Sequence, residues 1–205
     1  MKILKWVGIV IAVLGLILTI GPAMISENYS VVRTIETEAK SDVVFNQIVM
    51  LKNWDNWDPW SLQEPSAGLP IQGIDGTVGA TRSWKGDTIG AGSMEITKIE
   101  PNSAIDYKLK FTEPMVSESE IHFKLEPAGA KTKISWIMAG KADGWYGRWF
   151  GLMMDGMIGK DFEKGLAKLD VVSKTAVVPA SETMADPMAG DSATMQPTQT
   201  GSSPH

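Results

Sequence analysis

Between Gly144 and Lys174 the chain reads GWYGRWFGLMMDGMIGKDFEKGLAKLDVVSK, and its apolar residues Phe150, Met154, Ile158, Phe162, Leu166 and Leu169 recur at three- and four-residue steps. That is the period of one face of an α-helix. At 1.5 Å per residue, the roughly 24 residues from Trp149 to Val172 span about 36 Å, close to the ~33 Å of a ten-residue strand. A helix of this length covers a whole sheet, so the rest of the chain has to supply one. Gly151, Gly156, Gly159 and Gly165 interrupt the segment, each at a cost of about 1 kcal/mol relative to alanine. Close approach of the sheet or of a bound molecule to bare helix backbone offsets such a cost; plain irregularity of the helix is the alternative.

The sheet is predicted upstream. Tyr29–Glu38 is rich in β-branched residues and forms the first strand. Five more segments follow in quick succession, Thr81–Lys85, Gly92–Glu100, Ala104–Thr112, Ser117–Pro127 and Thr132–Gly140, separated by turns such as Pro101-Asn102 and Ala128-Gly129. Ile105, Tyr107, Leu109 and Phe111 alternate with Asp106, Lys108 and Lys110, while Ile121, Phe123 and Leu125 alternate with His122, Lys124 and Glu126. One face is therefore dry and the other wet. Ile134, Trp136 and Met138 fall on the dry face, with the long helix across it.

Between the first strand and the meander, Ser41 is a candidate N-cap for a short helix whose face is Val44, Phe45, Ile48 and Leu51. Trp54, Trp57 and Trp60 then follow at three-residue steps, a helical spacing that Pro59 interrupts. Two readings stand for them: they seal a pair of short helices onto the core, or they rim an apolar cavity, where indole offers large area and one N–H to orient a ligand. Residues 61–79 are rich in Gly, Pro and Ser and predict loop, with at most a short strand near Ile71.

From Trp6 to Ile25 the sequence WVGIVIAVLGLILTIGPAMI carries no charge. About 20 such residues cross the ~30 Å core of a bilayer. Lys2 and Lys5 precede the run and Glu27 is the first charge after it, so the positive-inside bias leaves the N-terminus cytoplasmic and the domain outside, periplasmic in a Gram-negative cell. A cleaved signal peptide and a buried core helix are the alternatives; the length of the run and the placement of Pro22 favour an uncleaved anchor. Three segments are thus expected: an anchor over residues 1–26, a folded domain over 27–174, and a disordered tail over 175–205, where Pro, Ser, Thr and Ala dominate.

These segments together resemble the polyketide-cyclase/dehydrase-type branch of the START-like (SRPBCC) helix-grip superfamily, in particular bacterial members that begin with a membrane helix. The resemblance rests on SDVVFNQIVMLKNWDNWDPW after a strand, GATRSW and GAGSMEITKIEPN in the meander, and the closing GRWFGLMMDGMIGKDFEKGLAKL. It implies an α+β fold in which a curved antiparallel sheet of about seven strands grips the C-terminal helix around a deep apolar cavity for hydrophobic molecules. Carriers, receptors, cyclases and hydratases share that fold, so it does not fix an activity.

For such a cavity the candidate ligand-binding residues are Trp54, Trp57, Trp60, Trp84, Tyr107, Phe123, Trp136, Met138, Phe150, Met153, Met154, Met157 and Ile158. The methionines give a wall that adapts to ligands of varied shape, though methionine also fills ordinary cores. Polar groups that could do chemistry are few. His122 belongs to the wet face and His205 to the tail; Asp55 and Asp58 form a carboxylate pair, or are solvated or cap the short helix. Asp155 and Arg82 are further cavity candidates; Asp155 either has a carboxyl pKa raised by partial burial, or points to solvent, or pairs with Arg148 or Lys160. No cofactor and no metal is expected, because no His/Asp/Glu group has ligand spacing and the chain has no cysteine. A net charge of −5 and the absence of a basic stretch argue against nucleic acid. The expected partners are a hydrophobic, lipid-like molecule and, through the N-terminal helix, a membrane. The expected function is binding of that molecule; a cyclase- or dehydratase-like enzyme using the same cavity and a protein-interaction module are the alternatives.

Overall fold

The six alternating segments pair into one antiparallel sheet. In the computed structural model, which describes residues 2–176, the elements run α1 (Lys2–Ile20), β1 (Asn28–Thr37), α2 (Ser41–Val49), α3 (Pro59–Gln63), β2 (Thr81–Lys85), β3 (Ala91–Glu100), β4 (Ala104–Glu113), β5 (Ser117–Ala128), β6 (Lys131–Lys141) and α4 (Gly144–Thr175). The strand order β1-β6-β5-β4-β3-β2 places the first strand beside the last. Asn28 faces Lys141, Ser119 faces Gly140, Phe111 faces Ser117 and Ala91 faces Lys85. That register gathers the start of β1, the β6–α4 junction, the β4–β5 turn and the β2–β3 hairpin at one end of the sheet. β3 shifts register between Ile96 and Lys98, and an extra residue of this kind bends a strand.

The sheet has six strands, one fewer than the resemblance implies. Around Ile71 the chain makes only two isolated bridges to β2, Gly68 to Trp84 and Gln72 to Thr81. Pro70 lies between them and has no N–H to donate, so no continuous ladder forms.

Alternation decides the faces. Ile105, Tyr107, Leu109, Ile121, Phe123, Leu125, Ile134, Trp136 and Met138 are all buried. His122 lies on the outer face, its Nδ1 2.9 Å from Asp106 Oδ1. α2 buries Val43, Val44, Ile48 and Val49; it starts at Ser41 itself, with Lys40 at the cap position and no side-chain cap. Trp54 lies in a 3-10 turn, Leu51–Asn56, after α2. Pro59 begins α3 instead of breaking a helix, because Asp58 caps it by accepting the Ser61 N–H at 3.0 Å.

α4 is longer than predicted, 32 residues from Gly144 to Thr175, or roughly 48 Å. Its C-terminal part is fastened to the core by Phe162, Leu166 and Leu169, all fully buried. Phe162 stacks on Trp136 with ring centroids 4.1 Å apart. Three of the four glycines that interrupt the predicted stretch of α4 face a surface. A Cβ at Gly165 would lie 2.7 Å from the Trp136 ring and one at Gly151 3.0 Å from Ala142, while one at Gly159 would strike the Arg33 guanidinium; at Gly156 it would meet nothing. Arg33 is on the inner face of β1, between Val31 and Ile35, and reaches Asp155 at 2.7 Å and Glu163 at 2.7 Å on α4.

α1 runs into a 3-10 turn, Gly21–Met24. Ile3–Met24 is long and apolar enough to cross a membrane, and α1 itself is not buried against the rest of the protein. The turn itself is tied to α4: Arg148 donates to the carbonyls of Pro22 at 2.9 Å and Ile25 at 3.2 Å and pairs with Glu27. The Pro/Ser/Thr/Ala-rich tail, apart from Thr175 and Ala176, and with it His205, lies outside the described residues.

Candidate functional site

The C-terminal part of α4 closes tightly on the sheet, and the N-terminal part borders a cavity of about 1060 Å³. Met94, Leu109, Ile121, Trp136 and Met138 of the sheet form one wall; Phe150, Met154, Met157, Ile158 and Phe162 of α4 form the facing one. Trp54 and Trp60 border it from the α3 side. Trp84 and Phe111, edge to face at 5.6 Å, border it near Met115 and Val116 of the β4–β5 turn. These walls follow from the alternation of the strands and from one apolar stripe on α4.

Nine of the thirteen candidate residues line this space: Trp54, Trp60, Trp84, Trp136, Met138, Phe150, Met154, Met157 and Ile158. Trp57, Tyr107 and Phe123 do not; they are fully buried and support the wall from behind. Tyr107 donates its hydroxyl to the Ile48 carbonyl at 2.7 Å, and burial pushes its phenol well above the ordinary value. Met153 points the other way, to the exposed side of α4. The tryptophans combine the two readings: Trp57 seals the core, Trp60 borders the cavity, and Trp54 does both. The indole N–H groups of Trp54 and Trp57 are spent on the carbonyls of Ile48 at 2.8 Å and Gln47 at 3.1 Å, so neither is free to orient a ligand. The Trp136 Nε1–H is buried in the cavity wall with no protein partner.

Met94, Leu109, Ile121 and Phe162 also line the cavity, and strand or helix periodicity already marked all of these but Met94 as inward. The polar group is less expected. Arg82 of β2 donates to Asp55 Oδ1 at 2.5 Å and to Ser61 Oγ at 2.6 Å, and its other terminal nitrogen lies 3.6 Å from Asp58 Oδ2. The Ser61 hydroxyl in turn donates to Asp58 in a very short bond. All four residues border the cavity. Asp58 is 4% exposed; burial pushes its carboxyl above the ordinary value, and only in part is this opposed by Ser61 and Arg82. Asp55 and Asp58 are thus not a pair sharing a proton but two carboxylates held by one guanidinium.

Asp155 points to solvent and not into the cavity, with a partner other than those expected from the sequence. It is more than half exposed, and its partner is Arg33 on β1, not Arg148 or Lys160. Hydrogen bonding to Arg33 holds its carboxyl below the ordinary value, the reverse of the expected shift. Glu64 borders the cavity too, but its oxygens accept the N–H groups of Asp87 at 2.8 Å, Thr88 at 2.9 Å and Ile89 at 3.2 Å. These bonds lower its carboxyl and fix the β2–β3 hairpin tip. Among the described residues no three His, Asp or Glu side chains are placed to hold a metal ion.

Comparison with solved structures finds the same fold at low sequence identity. An uncharacterized protein from Rhizobium leguminosarum aligns at 22% identity over 73% of this chain and 97% of that one, with a TM-score of 0.55. A protein from Thermobifida fusca, solved by NMR, aligns at 15% identity over 71% and 93%, with a TM-score of 0.57. Protein MLL2253 from Mesorhizobium loti aligns at 14% identity over 73% and 99%, with a TM-score of 0.55. A search of curated proteins finds no match. The sequence family described as polyketide cyclase / dehydrase and lipid transport matches residues 29–174, the span from β1 almost to the end of α4, and this chain belongs to that family.

Proposed function

We propose that the chain is a membrane-anchored protein that binds a hydrophobic or amphipathic, lipid-like molecule between its sheet and α4. The observation that carries this reading is the cavity itself. At about 1060 Å³ it sits at the upper end of the ~300–1,000 Å³ typical of small-molecule sites. Its walls are mostly methionine, aromatic and aliphatic side chains, which suit a flexible apolar body. The Arg82–Asp58–Ser61 group and the unpaired Trp136 N–H offer hydrogen bonds to a single polar head; an unsatisfied buried donor costs about 1–3 kcal/mol until an acceptor meets it. α1 supplies the membrane attachment, and a ligand drawn from a bilayer is consistent with both features.

The test is native mass spectrometry of residues 21–176, purified without detergent. Because α1 makes no buried contact, removing it exposes no core, and keeping the Gly21–Met24 turn retains the Arg148 bonds. A discrete extra mass, removed by organic extraction and absent from a Met154→Trp variant that fills the cavity, supports the reading. A folded fragment that carries no such mass and takes up no added fatty acid or phospholipid sinks it.

A second reading has one specific observation behind it. Asp58 is a buried carboxyl with a raised pKa beside a hydroxyl and a guanidinium on the cavity wall, the kind of group that transfers a proton in a cyclisation or dehydration.

A further inference from the structure

Two of the segments at the open end of the sheet, the β4–β5 turn and the start of α4, expose apolar side chains around the cavity mouth. Met115 and Val116 in the β4–β5 turn are 63% and 83% exposed and also line the cavity. On the first turns of α4, Trp145, Leu152, Met153 and Met157 are exposed as well. From Gly144 to Met154 the only charge is Arg148, and its guanidinium is turned back onto Pro22, Ile25 and Glu27. A patch of this kind on a soluble surface needs a partner.

The position of the anchor identifies it. Arg148 bonds to the turn that ends the α1 span, and Trp149 packs against Gly21 in the same turn. The mouth and the point where the chain leaves the apolar helix are therefore on the same end of the domain, a few residues apart. We infer that this end lies on the bilayer: the β4–β5 turn and the outer side of the N-terminal half of α4 insert into the headgroup boundary, so that the cavity opens into the membrane and not into water. The inference rests on the proposed anchoring by α1. A lipid-like molecule then enters without crossing water, and Met115 and Val116 are both anchor and threshold. The opposite end of the sheet, with the Ala128–Gly129 turn and the C-terminus of α4, faces away from the membrane.

The chain has no cysteine, so single cysteines carry a dye without background. Three full-length variants, Val116→Cys, Met153→Cys and Ala130→Cys, are labelled with an environment-sensitive fluorophore and reconstituted in vesicles of phosphatidylethanolamine and phosphatidylglycerol. All three positions are exposed, and circular dichroism confirms the fold before labelling. Expected are blue-shifted emission and several-fold stronger quenching by spin-labelled lipid at residues 116 and 153 than at residue 130. If the chain floats with the vesicles but all three dyes stay in water, the docking inference falls while the anchor stands. A blue shift without lipid quenching means that the patch is covered by protein, a second copy of this chain included, and also overturns it. A chain that does not float with vesicles removes the anchor and the inference together.

Discussion

Asp58 is the residue whose burial has the clearest consequence. Its carboxyl is raised above the ordinary 3.8 by desolvation, so the folded protein keeps a proton that the unfolded chain gives up. Between pH 3.8 and the folded value, unfolding releases protons, and stability falls as pH rises through that window. Asp58→Asn keeps an oxygen to cap α3 and removes the slope. Melting curves recorded from acid to neutral pH are expected to show wild type losing stability relative to Asp58→Asn as pH rises; parallel curves would mean that Asp58 titrates like a solvated carboxylate. The same variant separates the two functional readings, because loss of turnover with ligand still bound would favour the enzyme. In the sequence Asp58 was a candidate cap, but Pro59 read as a break and not as the first residue of a helix. The partner did not show: Arg82 lies on a strand beyond a long loop, and nothing local links it to Asp58. The partner of Asp155 was missed for the same reason. The methionine neighbours of Asp155 suggested burial, but its environment is set by Arg33 on the inner face of β1, which no local pattern links to it.

At the scale of the element, α4 tests whether its glycines are there for packing. Gly156 faces open space, so Gly156→Ala gains helix propensity with nothing to displace and is expected to stabilise by about 0.5–1 kcal/mol. Gly165 faces the Trp136 ring at 2.7 Å and Pro59 at 3.0 Å, both rigid. Overpacking costs ~1–3 kcal/mol, so Gly165→Ala is expected to lower the melting temperature despite the better propensity. Two shifts of the same sign in thermal denaturation would refute the packing account. The periodicities that placed α4 and the strands survive because they are set by which face is buried, a property written into neighbouring residues. What periodicity missed depends on distant contacts. The first turns of α4 carry no clear stripe, since apolar residues surround the helix there, and its start at Gly144 follows from the β6 junction. The expected seventh strand fails at Pro70 for want of one N–H. Met115 and Val116 sit in a turn, where no periodicity exists to place them, and only the sheet register brings them to the cavity mouth.

For the whole molecule, the proposed anchoring by α1 carries an expectation about which side of the membrane the cavity faces. Lys2 and Lys5 lie before the apolar run, Glu27 is the first charge after it, and Arg33 is the first cation. A translocated segment is sorted by such lysines and not by net charge, so the N-terminus is expected to stay in the cytoplasm and the sheet, α4 and cavity to lie outside. Protease added to intact spheroplasts should then degrade the domain, and alkaline carbonate should leave the undigested chain in the membrane pellet. Degradation only after permeabilisation would reverse the orientation. A soluble product beginning near Ala23 would show that the apolar run is a signal peptide. The outcome bears on the proposed ligand, because the leaflet that a membrane-docked cavity would meet limits what it can bind. An outward-facing mouth samples the outer leaflet and molecules arriving from outside the cell, whereas an inward-facing one would sample newly made lipid on the cytoplasmic side.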